Sequence, residues 1–171
     1  KGRQFVRSVV LIPWVIPGVL AAGMWKWMYD PQMGVINRII SQIGLGIRPL
    51  WLSDPKLAIY SVLIVNIWKG FPFFAIMLLA RLQAIPEEIF EAGLVDGVGV
   101  WQKFRHLTLP LLLPTIYICT LLRTIWAFNY VDIIYAMTGG GPANTTQTMA
   151  TYTFLTAYTG LNFGKASALA L

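Results

Sequence analysis

Residues 57–80 read LAIYSVLIVNIWKGFPFFAIMLLA, an apolar stretch in which Lys69 is the only charged residue. A helix that crosses a membrane needs about 20 consecutive apolar residues, and this stretch is long enough to supply them. Because hydrocarbon offers no hydrogen-bond partners, the backbone of such a segment must satisfy its own N–H and C=O groups as a helix. The stretch therefore predicts a membrane-spanning α-helix.

The composition of the whole chain is that of a membrane protein. Of its 171 residues 57% are hydrophobic and 12% are charged, and the mean hydropathy is +0.64. Soluble domains carry about 25% charged residues, so we exclude a soluble globular domain and a disordered chain. The 13 Lys and Arg residues give a net charge of +6 without a dense cluster, which argues against nucleic-acid binding. With one Cys and one His, we expect no internal disulfide and no metal site.

Further apolar stretches flank the first one. We predict helical spans over 9–28, 57–80 and 110–137, and the start of a fourth span near Phe163. No strand-like alternation is sustained, so the expected fold class is all-α, a multi-span transmembrane helical bundle in a single domain over 1–171. The chain begins with Lys and ends inside an apolar run, from which we expect a fragment with three full spans.

Polar segments join the predicted spans. Residues 29–56 and 138–162 are expected on the outer side of the membrane, and residues 81–109 on the cytoplasmic side, which carries slightly more Lys and Arg. The segment 138–162 is rich in Thr and Gly and is predicted as a loop. Within the first outer segment, Ile36 and Ile40 share one helical face and predict a short helix on the membrane surface or against a neighbour.

Residues 81–110 read RLQAIPEEIFEAGLVDGVGVWQKFRHLTLP, the most polar stretch of the chain. Pro86 suits the first turn of a helix, and the carboxylates of Glu87 and Glu88 are favourable at its positive end. We expect Ile89, Phe90 and Leu94 to form the apolar face of that helix. Gly97 and Gly99 end this helix, and a second short amphipathic helix precedes Pro110. Such a pair of helices forms either a rigid element for a cytosolic partner or a solvated connector at the lipid surface, and the residues leave both open.

The same stretch resembles the cytoplasmic signature of ABC importer permeases, which reads Glu-Ala-Ala, three residues, Gly, nine residues, Ile, any residue, Leu-Pro. In this chain Glu91 and Ala92 are followed by Gly93 in place of the second Ala, and Gly97 keeps its spacing. Leu107 stands in place of Ile before the closing Leu-Pro. The chain is similar to the maltose-type sugar permeases of that family over further stretches, namely 5–17, 34–37, 51–55, 66–73 and 138–142.

The resemblance implies a multi-pass subunit of the bacterial or archaeal inner membrane that forms half of the path for a sugar, an oligosaccharide or related polyol. It implies four partners: a second permease subunit, two cytosolic ATPase subunits that bind ATP and Mg, and an external solute-binding protein. The sequence has no Gly-x-x-x-x-Gly-Lys-[Ser/Thr] phosphate loop, so we expect a transport subunit that is not an enzyme and holds no cofactor.

The resemblance also implies site residues. The loop helix would be the coupling helix that fits an ATPase cleft, with contacts or turn geometry supplied by Glu87, Glu88, Glu91, Ala92, Gly93, Asp96 and Gly97. The substrate-lining positions would be Trp14, Gly18, Asn66, Gly70, Phe73, Arg123 and Trp126, with Asn129 close by. Their aromatic rings and few polar groups suit a sugar, since rings stack on its apolar faces.

A second class of function stays open from the residues alone. Arg123 and Asp132 lie in one predicted span, where an ion or proton relay would make the protein an ATP-independent channel or secondary carrier. On one straight helix they would stand roughly 13 Å apart along the axis, which places Asp132 near the outer surface. An intramembrane enzyme is disfavoured, because the spans hold no Ser/His/Asp set and no closely paired carboxylates.

Overall fold

The computed structural model describes residues 2–44 and 46–171, without the side chains of residues 3 and 4. Within these ranges the chain forms nine helices and no β-strand, which confirms the predicted all-α class. In chain order they are α1 (Gly2–Val15), α2 (Gly18–Met28), α3 (Val35–Gln42), α4 (Ala58–Gln83), α5 (Glu87–Val95), α6 (Val100–Phe128), α7 (Asp132–Thr138), α8 (Met149–Tyr158) and α9 (Phe163–Ala170).

Two helices of the described chain, α4 and α6, are each long and apolar enough to cross a membrane. Helix α4 coincides with the span predicted over 57–80 and keeps Pro72 inside it. Helices α1 and α2 have the length and composition of a third span only when they are taken together. The molecule thus has two long crossing helices and one broken pair.

The span predicted over 9–28 as a single helix is wrong in shape, because α1 and α2 meet at an angle of 98°. The break falls at Ile16 and Pro17. Proline has no N–H for the helical ladder and disfavours the helical conformation of the residue before it. The sequence contains the cause of the break, but hydropathy alone does not register it.

The span predicted over 110–137 is also wrong at both ends. Helix α6 already begins at Val100 and ends at Phe128, and the chain bends before α7 begins at Asp132. The second short helix predicted in the cytoplasmic loop is therefore the first part of α6. It joins the rest through a π-helical segment, Lys103–Thr108. Pro110 follows this segment and has no N–H to donate, and wider π-helical turns are one way in which helices accommodate such interruptions.

The outer segments hold more helix than the sequence predicted. The short helix expected within 29–56 is present as α3, but 138–162 contains α8, which we predicted as loop. The hydroxyl oxygen of Thr148 accepts a hydrogen bond from the Thr151 N–H (3.2 Å) and caps that helix. The many Thr residues that favoured a loop prediction include this N-terminal cap.

The packed core lies where α2, α4 and α7 meet. Its buried side chains are Ala22, Tyr29, Val62, Val65, Ile133, Ile134 and Met137. Helix α7 packs against both α2 and α4, while α1 and α6 each pack against α4. Because α7 returns to α2, it brings Asp132 to the start of α2 and away from the axis of α6.

Asn37 of α3 organises the outer segment. It is 4% exposed, its Oδ1 accepts from Trp51 Nε1 (2.8 Å), and its Nδ2 donates to the carbonyls of Pro31 (3.3 Å) and Pro49 (3.2 Å). Nearby, the Asp30 carboxylate accepts hydrogen bonds from the backbone N–H groups of residues 33 and 32, which lower its pKa. These polar contacts join α3 to the stretches of chain before and after it.

Candidate functional site

A cavity of about 350 Å³ lies between α1, α4, α6 and the residues that follow α6. It is lined by Trp14, Lys69, Gly70, Phe73, Arg123, Trp126, Asn129 and Tyr130. Six of the eight residues predicted to line a substrate path are among them, whereas Gly18 and Asn66 lie outside the lining. The structure therefore brings most of the predicted set to one place.

A larger groove, of about 790 Å³, runs between α1 and α4. Among the described residues that line it, Arg7 is the only charged one, and the others are aliphatic or glycine. None of the predicted substrate residues lies there. Since a polar ligand needs placed hydrogen-bonding groups, the smaller cavity is the better candidate site for one.

Aromatic rings form one wall of the smaller cavity. The rings of Phe73 and Trp126 meet edge to face with centroids 5.0 Å apart, so α4 and α6 each contribute one ring. Trp14 of α1 is 51% exposed and Trp126 is 44% exposed, which leaves ring surface free to contact a ligand. Aromatic faces of this kind stack on the apolar faces of sugars and cost little conformational entropy.

Arg123 supplies the strongest donor of the cavity. Its Nη2 donates to the backbone carbonyl of Asn66 (3.1 Å) and to the Asn66 side-chain oxygen. The centroid of the Tyr130 ring lies 5.7 Å from the guanidinium carbon. Asn66 is therefore a partner of Arg123, and it contributes to the cavity by holding that side chain.

Lys69 lies beside Arg123 but is turned toward the break between α1 and α2. Its Nζ donates to the carbonyl oxygens of Pro13 (3.3 Å) and Ile16 (2.6 Å). A lysine in the middle of an apolar span was the available signal, and the acceptors became known only from the fold.

Asp132, the first residue of α7, lies beside the start of α2. The prediction that Asp132 and Arg123 share one straight helix was therefore wrong. A methyl group on Gly18 would lie 3.5 Å from Asp132 Cβ, 3.6 Å from its Oδ2 and 3.9 Å from Lys69 Cε. Asp132 and Arg123 also lie on different helices, and both interact electrostatically with Lys69. Gly18 thus gives room for Asp132 and does not face the cavity.

The predicted coupling segment forms α5 and a tight turn. At its end the Gly97 N–H donates to the Leu94 carbonyl (3.1 Å), and the Val98 N–H donates to the Gly93 carbonyl (3.0 Å). This pair of bonds is a Schellman motif, which requires a left-handed residue at Gly97. Gly97 has φ +73°, a conformation that glycine adopts without steric cost.

Gly93 and Leu107, the two departures from the family signature, contact each other. A methyl group on Gly93 would stand 2.7 Å from Leu107 Cδ1. Gly93 is buried, whereas the other predicted coupling residues are exposed, namely Glu87, Glu88, Glu91, Ala92, Asp96 and Gly97. Because Gly93 has no Cβ, the Leu107 side chain has room to pack against α5, and α5 stays in contact with α6.

Exposed apolar side chains surround the turn after α5. Leu94, Val95, Val100 and Trp101 are 63%, 88%, 90% and 70% exposed. Of the predicted apolar face of α5, Ile89 and Phe90 are half-buried, whereas Leu94 is exposed. A set of exposed aliphatic and aromatic side chains is typical of a surface that binds a partner.

These features define a helical membrane permease: two long helices that can cross a membrane, one broken helix pair, a cavity among them that holds aromatic and charged side chains, and an exposed helical loop. A family model described as "Binding-protein-dependent transport system inner membrane component" matches residues 1–171. The chain belongs to this family, and the resemblance to ABC importer permeases inferred from its sequence is confirmed.

Individual relatives and solved structures agree. The chain is 43% identical to a trehalose/maltose transport system permease protein of Thermococcus litoralis, over 90% of this chain and 52% of that protein. A crystal structure of a bacterial ABC transporter involved in the import of the acidic polysaccharide alginate superposes with a TM-score of 0.88 and 30% identity, covering 99% of this chain and 60% of that one. A bacterial alginate ABC transporter in complex with an alginate pentasaccharide-bound periplasmic protein gives a TM-score of 0.85 and 28% identity, over 98% and 58%. This chain thus spans between half and two thirds of the length of these three proteins.

Proposed function

We propose that the complete protein is the membrane-spanning subunit of an ATP-driven importer and forms half of the translocation path for a sugar. The observation that carries the proposal is the cavity between α1, α4 and α6, where aromatic rings face a fixed guanidinium. The names of the relatives, a trehalose/maltose permease and an alginate importer, support an oligosaccharide or a related polyol.

The exposed loop supports coupling to a cytosolic ATPase. Helix α5 and its Schellman turn form a short rigid element, and the apolar side chains around the turn suit burial in a partner's groove. Two ATPase subunits would bind ATP and Mg²⁺, and this chain would transmit their closure to α6 through the contact of α5 with the first turns of α6. Alternating access then results when the helices around the cavity rock against those of a second permease subunit.

An external solute-binding protein would deliver the sugar. The alginate transporter was solved in complex with such a periplasmic protein, which supports a partner of the same kind here. The complex would reside in the inner membrane of a bacterium or an archaeon, as the description of the family suggests. We do not propose an ion or proton relay, because the solved structures that this chain matches are ABC transporters.

Uptake by the complete, reconstituted complex tests the proposal. Proteoliposomes carry the complex in their membrane and ATP inside. The binding protein and labelled maltose, trehalose or an alginate oligosaccharide are added outside. We expect uptake that requires ATP, and Trp126→Ala should lower it about tenfold or more by removing a cavity wall. Trp27→Ala is the matched control, since Trp27 is 62% exposed and lies outside the cavity. Uptake driven by an ion gradient without ATP would contradict the proposal.

A further inference from the structure

The break between α1 and α2 leaves backbone carbonyls without helical partners. In a continuous α-helix the Pro13 carbonyl would accept from the N–H of residue 17, but that residue is proline and has no N–H. Ile16 follows the last residue of α1, so its carbonyl lies at the open end of the helix. In a membrane environment, unpaired carbonyls are strongly unfavourable.

Lys69 of α4 supplies the missing donors. Its Nζ is 3.3 Å from the Pro13 oxygen and 2.6 Å from the Ile16 oxygen, although these residues are more than 50 positions away in the chain. A cation at this place also faces the negative end of the α1 dipole. The contact therefore satisfies both the hydrogen bonding and the electrostatics of the open helix end.

The start of α2 is met by a residue of opposite charge. The Oδ2 of Asp132 would lie 3.6 Å from a methyl group on Gly18, the first residue of α2. An anion suits the positive end of a helix. The two ends of the break are thus approached by Lys69 and by Asp132, which also attract each other.

We infer that Lys69 is a positioning residue, which fixes the angle between α1 and α2 and thereby holds Trp14 in the wall of the cavity. Trp14 lies next to Pro13, whose carbonyl Lys69 binds, and its ring lines the same cavity as the Lys69 side chain. This inference rests on the proposed function only in the role given to the cavity. The geometric claim is that the carbonyl bonds of Lys69 set the position of residue 14.

Cysteine labelling tests the claim without any substrate. In the complete transporter in nanodiscs, Trp14→Cys is combined with Cys119→Ser, which removes the buried natural cysteine, and the rate of maleimide labelling is measured. We expect Lys69→Met to change that rate about tenfold, because the open helix end loses its donors. Lys69→Arg should keep the rate within about twofold of the parent, since a guanidinium can donate to both carbonyls. Lys26→Met is the matched control and should leave the rate unchanged.

One further variant separates the carbonyl bonds from the charge pair, and a second label site controls for general loosening. In Lys69→Met/Asp132→Asn neither charge of this pair remains, but the carbonyls still lack donors, so we expect the altered labelling to persist. Labelling that returns to the parent rate would overturn the inference, because Lys69 would then serve only to neutralise Asp132. A label at Tyr117→Cys, on the exposed face of α6, reports general loosening, and an equal change there would also overturn it.

If Lys69→Met does not assemble, the test moves to Lys69→Met/Pro17→Ala. Alanine restores the N–H that the Pro13 carbonyl lacks, so we expect assembly to recover at least in part. No recovery would contradict the inference. Because these readouts need no transported sugar, a failure of the proposed function leaves them interpretable.

Discussion

The guanidinium group of Arg123 lies against Gly70, in the space that a side chain at position 70 would need. A methyl group on Gly70 would stand 2.8 Å from both Nε and Nη2 of Arg123. The close approach lets Nη2 reach the backbone and side-chain oxygens of Asn66, one helical turn earlier on α4. Gly70 thus has a steric reason to be glycine in the middle of a membrane helix.

We predict that Gly70→Ala destabilises the protein and impairs uptake. Alanine gains about 1 kcal/mol of helix propensity over glycine. Displacing Arg123 loses hydrogen bonds of a charged group, each worth about 1.5–3 kcal/mol, so the loss should exceed the gain. Thermal unfolding of the purified complex measures the balance. Gly23→Ala is the matched control, because nothing lies within 4 Å of a methyl group there, and it should be neutral or stabilising.

The existence of the crossing helices was predictable because hydropathy is a local property of the chain. The span over 57–80 became α4 almost residue for residue, since nothing in it opposes a straight helix except Pro72. The break at Pro17 and the return of α7 depend on what packs against them. Asp132 shows this most clearly: its position beside Gly18 follows from contacts of α7 with α2, which no spacing along the sequence specifies.

The candidate site was predictable to a similar extent. The resemblance to ABC importer permeases predicted most of the residues that line the cavity. It did not distinguish these lining residues from supporting ones such as Asn66 and Gly18. That distinction depends on side-chain direction within a helix turn. The acceptors of Lys69 were beyond prediction as well, since they are backbone groups exposed only by the broken helix.

Asn37 should be the most sensitive polar residue of the outer segment. Replacing it with alanine leaves Trp51 Nε1 without its acceptor and two carbonyls without their donor. Each buried polar group left unpaired costs about 1–3 kcal/mol. We therefore expect Asn37→Ala to lower the thermal stability of the complex clearly. Arg38→Ala, at an exposed neighbouring position on α3, should change it little, and an equal loss in both variants would refute the assignment.

Gly93 and Leu107 should show energetic coupling. Gly93→Ala alone gains helix propensity but forces Leu107 Cδ1 away from the 2.7 Å approach, and overpacking typically costs about 1–3 kcal/mol. In a Leu107→Ala background the obstructing methyl groups are absent, so the same Gly93→Ala change should become neutral or stabilising. A double-mutant cycle on the unfolding free energy measures this, and simple additivity would show that the two residues do not press on each other.

The turn that ends α5 depends on glycine at one position and tolerates other residues two positions later. Gly97 has φ +73°, where an alanine costs about 1–2 kcal/mol, whereas Gly99 has φ −67° and only the Gln102 side chain nearby. We predict that Gly97→Ala weakens the Schellman turn and lowers both sugar uptake and the ATPase activity stimulated by the binding protein. Gly99→Ala is the matched control and should retain both. Delivery of sugar by the binding protein should be intact in either variant, since the turn lies on the loop proposed to contact the ATPase. Full coupling in the Gly97→Ala complex would show that the rigid turn does not transmit the motion of the ATPase.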